Sequence, residues 1–324
     1  MPPRAEVLQD DPPTRPAPRA RLAHARVDVY PSPAMAMQSL APRARIARGK
    51  SGEGRWEIAT RPPAPHLRPY IRDYSGYTEE TPGPLRRREL PAPQIVVIIE
   101  FGPPLRVFDA GSDRRHSSHP GGFVAGLDAT FTITEHDGFQ RGLQVNLTPI
   151  GARLFFGVPM EELTGRVISA RDLLPRKHAR LAERLEELPT WDARFDLIER
   201  ALGERVDEAR IEVGVVSWAF RRIEERGGAV DMRALARELG YSQKHVIGLF
   251  REHVGIPPKL LARLVRFDRL VRHLKTGATG TWAELAQRFG YYDQAHLARD
   301  VKQFSGTTPT RTRAALIDVA GMSP

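Results

Sequence analysis

The sequence predicts an α+β chain: an N-terminal small antiparallel β-barrel-like domain with helices, then an all-α C-terminal domain built on a duplicated helix pair. Three observations carry this reading. Short Val, Ile and Phe runs separated by Gly and Pro fill the middle of the chain, a seven-residue stretch recurs at an offset of 50 in the last third, and positive charge gathers around that repeat. With 324 residues, 41% hydrophobic and 27% charged, the chain is long enough for two ordinary domains of about 100 to 200 residues each.

The formal net charge of +10 is unevenly spread. Residues 1 to 55 hold ten basic and five acidic side chains, residues 56 to 211 hold twenty-one and twenty-three, and residues 212 to 313 hold eighteen and ten. An excess of eight on the last third is the electrostatic footprint of a nucleic-acid-binding domain joined to a domain with another task. There is no cysteine, which excludes disulfides, cysteine zinc ligands, thiol nucleophiles and methyl-accepting cysteines. The longest aliphatic run is Ile95 to Ile99, far short of the roughly 20 residues of a spanning helix. The first 30 residues show scattered Arg and Pro with no apolar h-region, so the expected location is cytoplasmic, with no membrane partner.

Residues 1 to 55 are rich in Pro, Ala and Arg without apolar periodicity, so the expectation is a disordered basic tail, with Met35 and Met37 as alternative starts. Gly49, Lys50 and Ser51 resemble the end of a phosphate loop, but Ala44 stands where its first glycine belongs. Residues 56 to 210 form the next predicted domain, β-rich and serving as sensor or dimerisation surface. Gln94 to Phe101, Leu105 to Phe108, Gly122 to Leu127, Phe131 to Thr134 and Leu143 to Leu147 are its strands, since β-branched and aromatic residues dominate them. Leu67, Tyr70, Ile71 and Tyr74 sit at helical spacing and predict a helix over Pro65 to Tyr74. Beyond Pro149 the pattern is helical, in Gly151 to Phe156, Pro159 to Leu163, His178 to Leu188 and Trp191 to Val206.

His116, His119 and His136, with Glu135 and Asp137 nearby, invite a metal hypothesis, but no His pair at helix or strand spacing has a carboxylate partner. No metal, no cofactor and no catalytic residue is therefore expected. Neither a Gly-x-Ser-x-Gly elbow nor a strand-following Gly-x-Gly-x-x-Gly occurs, and the chain is not expected to be an enzyme.

Leu235-Ala-Arg-Glu-Leu-Gly-Tyr241 matches Leu285-Ala-Gln-Arg-Phe-Gly-Tyr291 at an offset of 50, which becomes 51 where His245 meets His296, Gly255 meets Gly306 and Pro258 meets Pro309. Each copy reads as helix, tight turn, helix. Asp231 and Thr281 suit N-caps of the first helices, Gly240 and Gly290 their left-handed ends, and Ser242 and Asp293 the N-caps of second helices running to about His253 and Phe304. That is a helix-turn-helix, whose second helix enters the major groove of DNA. Between the copies, Pro258 to Lys275 predicts an amphipathic connector of about 27 Å at 1.5 Å per residue. It suits two reading helices placed near successive major-groove faces. Glu212 to Arg226 adds a further helix.

The span from Glu212 to Arg313 resembles the paired helix-turn-helix domain of the AraC/XylS family of bacterial transcription regulators. The second copy carries the likeness, in Ala286, Phe289, Gly290, Tyr291, Asp293, Gln294, His296, Leu297, Arg299, Phe304, Gly306, Pro309 and Arg313. The DNA-binding domain then spans 211 to 316, with 317 to 324 as a tail. The resemblance implies double-stranded DNA as partner. It places the DNA-facing side chains at Gln243, Lys244, Ile247, Gly248 and Arg251 in the first copy, and at Gln294, Ala295, Ala298, Arg299 and Lys302 in the second. It also implies inward-packing His245 and His296. Three positions depart from the pattern: Val301 stands for a usual Phe, Asp300 for a small apolar residue, and Gly248 for a longer polar one.

The expected function is a transcription regulator whose N-terminal domain answers to a small-molecule effector or a partner, with a homodimer and, for an activator, RNA polymerase among its partners. A constitutive DNA-binding protein whose middle domain only dimerises is the alternative, and an enzyme with a DNA-binding tail is a third reading.

Overall fold

The computed structural model describes residues 43–51, 54–108, 115–174, 176–178, 180–209 and 211–320. The predicted tail up to residue 42 lies outside the described residues, but its last part is not a tail. Strand β1 (Arg45–Ser51) pairs antiparallel with β2 (Gly54–Arg61) along its whole length, and the Ala44 N–H donates to Asp192 Oδ1 at 2.7 Å. β1 is an edge strand, so it needs few apolar residues and its Arg-rich composition hid it.

β3 (Ile71–Glu80), β4 (Leu85–Glu89), β5 (Ile95–Glu100), β6 (Arg106–Phe108), β7 (His116–Ser118), β8 (Phe123–Ala125), β9 (Thr132–His136), β10 (Phe139–Leu147) and β11 (Val167–Ser169) complete two antiparallel sheets. Their orders are β1-β2-β3-β10-β5-β8-β11 and β4-β9-β6-β7. The sheets face one another as an open sandwich rather than a closed barrel. The helix expected over Pro65 to Tyr74 is instead a 3-10 turn, Pro65–Leu67, followed by β3. Its helical spacing has a simple origin: the register shifts between Asn146 and Leu147 of β10, so a bulge puts Ile71 and Tyr74, three apart, on one buried face.

That face packs on helices α1 (Pro149–Phe156), α2 (Ala170–Leu173), α3 (Leu181–Glu187) and α4 (Trp191–Glu208). Phe195 of α4 lies 4.7 Å from the Tyr74 ring. The buried Arg61 guanidinium bridges β2 to α4 through Asp196 at 2.7 Å and Glu199 at 3.1 Å, so a charge in this core is paired rather than orphaned.

α5 (Gly214–Glu225), α6 (Met232–Glu238), α7 (Gln243–Val254), α8 (Pro258–Lys275), α9 (Trp282–Arg288), α10 (Gln294–Ser305) and α11 (Pro309–Ala320) follow the sandwich, and all the described residues belong to one compact unit. The connector α8 has the predicted bounds, and it buries Leu261, Leu264, Phe267, Leu270 and Leu274. No helix among the described residues is long and apolar enough to cross a membrane.

Candidate nucleic-acid interface and inter-sheet cavity

Four side chains fix the helix pairs. Asp231 Oδ1 accepts from the Arg233 N–H at 2.8 Å, and Ser242 Oγ accepts from the His245 N–H at 3.2 Å. In the second copy Asp293 Oδ1 accepts from the His296 N–H at 2.6 Å, and Thr281 forms a reciprocal capping box with Glu284. The Thr281 N–H and hydroxyl hold the Glu284 carboxyl below its ordinary range. Gly240 and Gly290 take φ of 72° and 74°, the left-handed turn between the two helices of each copy.

Gln243, Lys244, Ile247, Gly248 and Arg251 are all exposed, at positions that share one face of α7. Gln294, Ala295, Arg299 and Lys302 are exposed and Ala298 is half-buried, on the matching face of α10. The opposite faces are core: Val246 and Phe250 in α7, Leu297, Val301 and Phe304 in α10. His296 is half-buried, edge-on to Tyr291 at 5.4 Å. His245 differs from its expected inward packing. It is exposed, with its ring 4.6 Å from that of the exposed Tyr241, because Val246 takes the buried position beside it.

Asp300 is 1% exposed and accepts from Arg263 of α8 at 2.7 Å, which explains a charge at a usually apolar position: it locks the second reading helix to the connector. Arg263 also donates to Gln303 Oε1 at 2.5 Å and lies 5.3 Å over Phe304. Sequence reasoning missed Tyr292, 93% exposed beside the N-cap of α10; its one signal was the extra residue in the second copy.

A partly open cavity of about 690 Å³ lies between the two sheets of the sandwich. Strand alternation decides what lines it. Ser75, Tyr77 and Glu79 of β3 face in, as do Val96 and Ile98 of β5, Gln140 and Gln144 of β10, Arg87 and Glu89 of β4, and Thr132, Thr134 and His136 of β9. One end is apolar, with Leu105, Val107, Phe123 and Val167. At the other, Glu79 accepts from both Arg87 and Gln140 and lies 3.3 Å from His136 Nε2. Burial alone would raise the Glu79 carboxyl, but Arg87 and Gln140 outweigh it and hold the group below its ordinary range. Burial lowers His136.

Gly142 of β10 stands in register between Tyr77 and Glu100. The Tyr77 hydroxyl and Glu100 Oε2 are buried and have no hydrogen-bond partner. Burial pushes Glu100 up to about 7, against the Leu105 N–H bonded to its other oxygen. None of these cavity residues except His136 stood out in the sequence. No alternation marked them: in β3 the cavity-facing Ser75, Tyr77 and Glu79 are interleaved with Gly76, Thr78 and Glu80. Among the described residues, no group of three or more His, Asp or Glu is placed to hold a metal ion.

Two family models match the chain: a helix-turn-helix domain over residues 235–315 and a domain of unknown function, DUF6597, over residues 59–169. No curated protein matches. Among solved structures, ToxT from Vibrio cholerae is similar at 7% identity and TM-score 0.44, over 72% of this chain and 99% of that one. ToxT of Vibrio cholerae O395 is similar at 10% identity and TM-score 0.42, over 72% and 97%. Oxalate decarboxylase from Bacillus subtilis is similar at 12% identity and TM-score 0.23, over 42% and 44%. The duplicated capped helix pairs, their buried seam and the matched family model agree: the chain carries a helix-turn-helix domain over residues 235–315 behind a DUF6597 domain over residues 59–169.

Proposed function

We propose that the protein is a sequence-specific, cytoplasmic regulator of promoter activity, not an enzyme, whose α7 and α10 read two successive major grooves of duplex DNA. The observation that carries this reading is the pair of exposed faces on the two helices, in a segment with eighteen basic and ten acidic residues. Arg299, and the glutamines Gln243 and Gln294, are the base readers, since Arg pairs with guanine and Gln with adenine through two hydrogen bonds. Lys244, Arg251 and Lys302 meet phosphates, and Ile247, Gly248, Ala295 and Ala298 give shape and close approach. The reading divides the chain near residue 210 into a sensor and a DNA-binding domain, with a homodimer as its working form and RNA polymerase as partner where it activates.

The inter-sheet cavity is the effector site in this reading. Arg87 is committed to Glu79 and Arg86 to Glu135, whereas Glu89 and Asp128 also line the cavity, so its unneutralised charge is acidic. A neutral or cationic small molecule with an apolar body suits it better than a carboxylic acid. Selection of bound fragments from random duplex DNA by the purified full chain tests the regulator reading. A bipartite consensus whose halves lie about one helical turn apart is expected, with affinity falling steeply with salt; binding with no preferred sequence would defeat it.

A further inference from the structure

The two reading helices end on the sandwich at equivalent places but on unlike supports. α7 stops at Gly255, φ 97°, where a Cβ would lie 2.6 Å from Thr164 Oγ1 and 2.9 Å from the Met160 carbonyl oxygen. The Thr164 hydroxyl donates to the Gly255 carbonyl at 2.9 Å. α10 stops at Gly306, φ 73°, where a Cβ would lie 2.2 Å from the Phe131 ring. Arg88 Nη1 donates to the Ser305 carbonyl at 2.6 Å, and its guanidinium lies 4.2 Å over Phe131. Both glycines admit a close approach that any side chain would block.

The supports differ in what stands behind them. Met160 and Thr164 belong to the turn after α1 and are not among the cavity residues. Arg88 lies on β4 between Arg87 and Glu89, which line the cavity, and Phe131 lies between Thr130 and Thr132, which also line it. Successive residues of an extended chain point to opposite faces. The same two backbone stretches therefore form one wall of the cavity and the seat of α10. Arg88 and Ile133 are partners in the β4–β9 pairing, so the two stretches move as one ladder. The seat acts on the end of a tied helix: Ser305 Oγ donates to the Val301 carbonyl at 2.7 Å and lies 2.9 Å from the Thr312 hydroxyl of α11.

We propose that Arg88 and Phe131 are positioning residues for the second reading helix, and that filling the cavity displaces this seat while the Thr164 seat of the first stays fixed. The effector would then reset one motif against the other, without covering either DNA-facing surface. This rests on the effector reading of the cavity. The seat touches the C-terminal end of α10, and the side that meets DNA is left free.

The test is amide hydrogen exchange of the full chain, with Ser75→Trp as a filler that enters the cavity from the opposite sheet. Ser75→Trp should speed exchange in residues 294–316 about three- to tenfold, the range set by loss of one hydrogen bond and its packing, with residues 243–254 unchanged. In an Arg88→Met/Phe131→Ala background the second motif should already exchange fast, and Ser75→Trp should add nothing; Arg88→Lys should restore part of the protection. The same seatless variant should bind a DNA site whose half-sites are shifted by one base pair almost as well as the native spacing, a change that mere destabilisation would not produce. Equal acceleration of both motifs, or an undiminished effect of the filler without the seat, would overturn the proposal. Arg87→Met disturbs the same strand from the cavity side and replaces the filler if Ser75→Trp does not fold. A small molecule from an amine and carboxylate panel that changes DNA affinity equally with and without the seat would remove the seat and keep the effector reading.

Discussion

The sandwich and the paired helix-turn-helix motifs dispose of their polar groups in opposite ways. Between the sheets, Glu79, Arg87, His136, Gln140 and Tyr77 surround a cavity of about 690 Å³, and two buried oxygens, on Tyr77 and Glu100, have no partner. In the helical part the seam between helices is largely apolar and the reading side chains are exposed; the buried Asp300 is answered by Arg263 through Oδ1, while its Oδ2 and the Tyr291 hydroxyl are buried without a partner, away from the inter-sheet cavity. Polar groups gathered around an internal space can be completed by a small ligand, and exposed ones by a macromolecule, so the first pattern suits a binding cavity and the second a reading surface.

The contrast breaks most visibly if the helical part is made to hold an uncompensated charge. Arg263→Ala would leave Asp300, 2% exposed at its side chain, without its cation. Because Arg263 itself is about a quarter exposed, the expected loss is at the lower end of the usual range, about 3 kcal/mol. Urea denaturation of the full chain measures it. The double variant Arg263→Met/Asp300→Leu should recover most of that stability, and a loss under about 1 kcal/mol for Arg263→Ala would mean that the pair does not lock α10 to the connector.

The sandwich should show its own unsatisfied group through pH. Glu100 is raised to about 7 by burial, above the ordinary 4.5, so the folded state holds its proton while the unfolded chain releases it. Its contribution to stability is fully present below about pH 4.5 and is lost as pH rises to 7. The expected decline is about 2 to 3 kcal/mol across that window, and Glu100→Gln should flatten it. A wild-type profile unchanged by Glu100→Gln would place the titration elsewhere.

The two regions also differed in how much of them could be read from the sequence. Helix ends were legible because local chemistry sets them: Asp231, Ser242, Thr281 and Asp293 cap where their short oxygens predict, and Pro258 to Lys275 has the bounds its apolar stripe implies. The sandwich was legible only at its doubly buried strands, such as β5. β1 is an edge, β3 packs Tyr74 and Gly76 toward α4 but carries polar residues on both faces beyond them, and its bulge imitates helical spacing at Ile71 and Tyr74. Those features depend on partners distant in the chain. The reading face was inferred from repeat and resemblance, whereas the cavity emerged only once two sheets were brought together.

On the surface of the helices the effects should be smaller and depend on DNA sequence. Arg299→Ala should cost about 1 to 3 kcal/mol at one base position and relax preference there. Lys302→Ala should weaken every site alike and lower the salt slope by about one. Competition binding against a set of singly mutated sites separates them, and a uniform loss for Arg299→Ala would assign that residue to the backbone.

The smallest effect compares the two motifs with each other. Both first helices have a capping side chain, but only Thr281 is part of a reciprocal box with Glu284; Asp231 bonds the Arg233 N–H alone. Thr281→Ala/Glu284→Ala therefore releases two backbone donors, the Glu284 and Thr281 N–H groups, where Asp231→Ala releases one. Asp231→Ala should cost about 1 kcal/mol, and the double variant Thr281→Ala/Glu284→Ala more. Neither cap touches the sandwich, so the ranking should hold in the Arg88→Met/Phe131→Ala background, where the α10 seat is already absent. Amide exchange at Arg233 and Glu284 reports each cap directly. If removing the seat erased the difference, the asymmetry between the motifs would come from the sandwich, and the second motif would owe its order to its support instead of its own first turn.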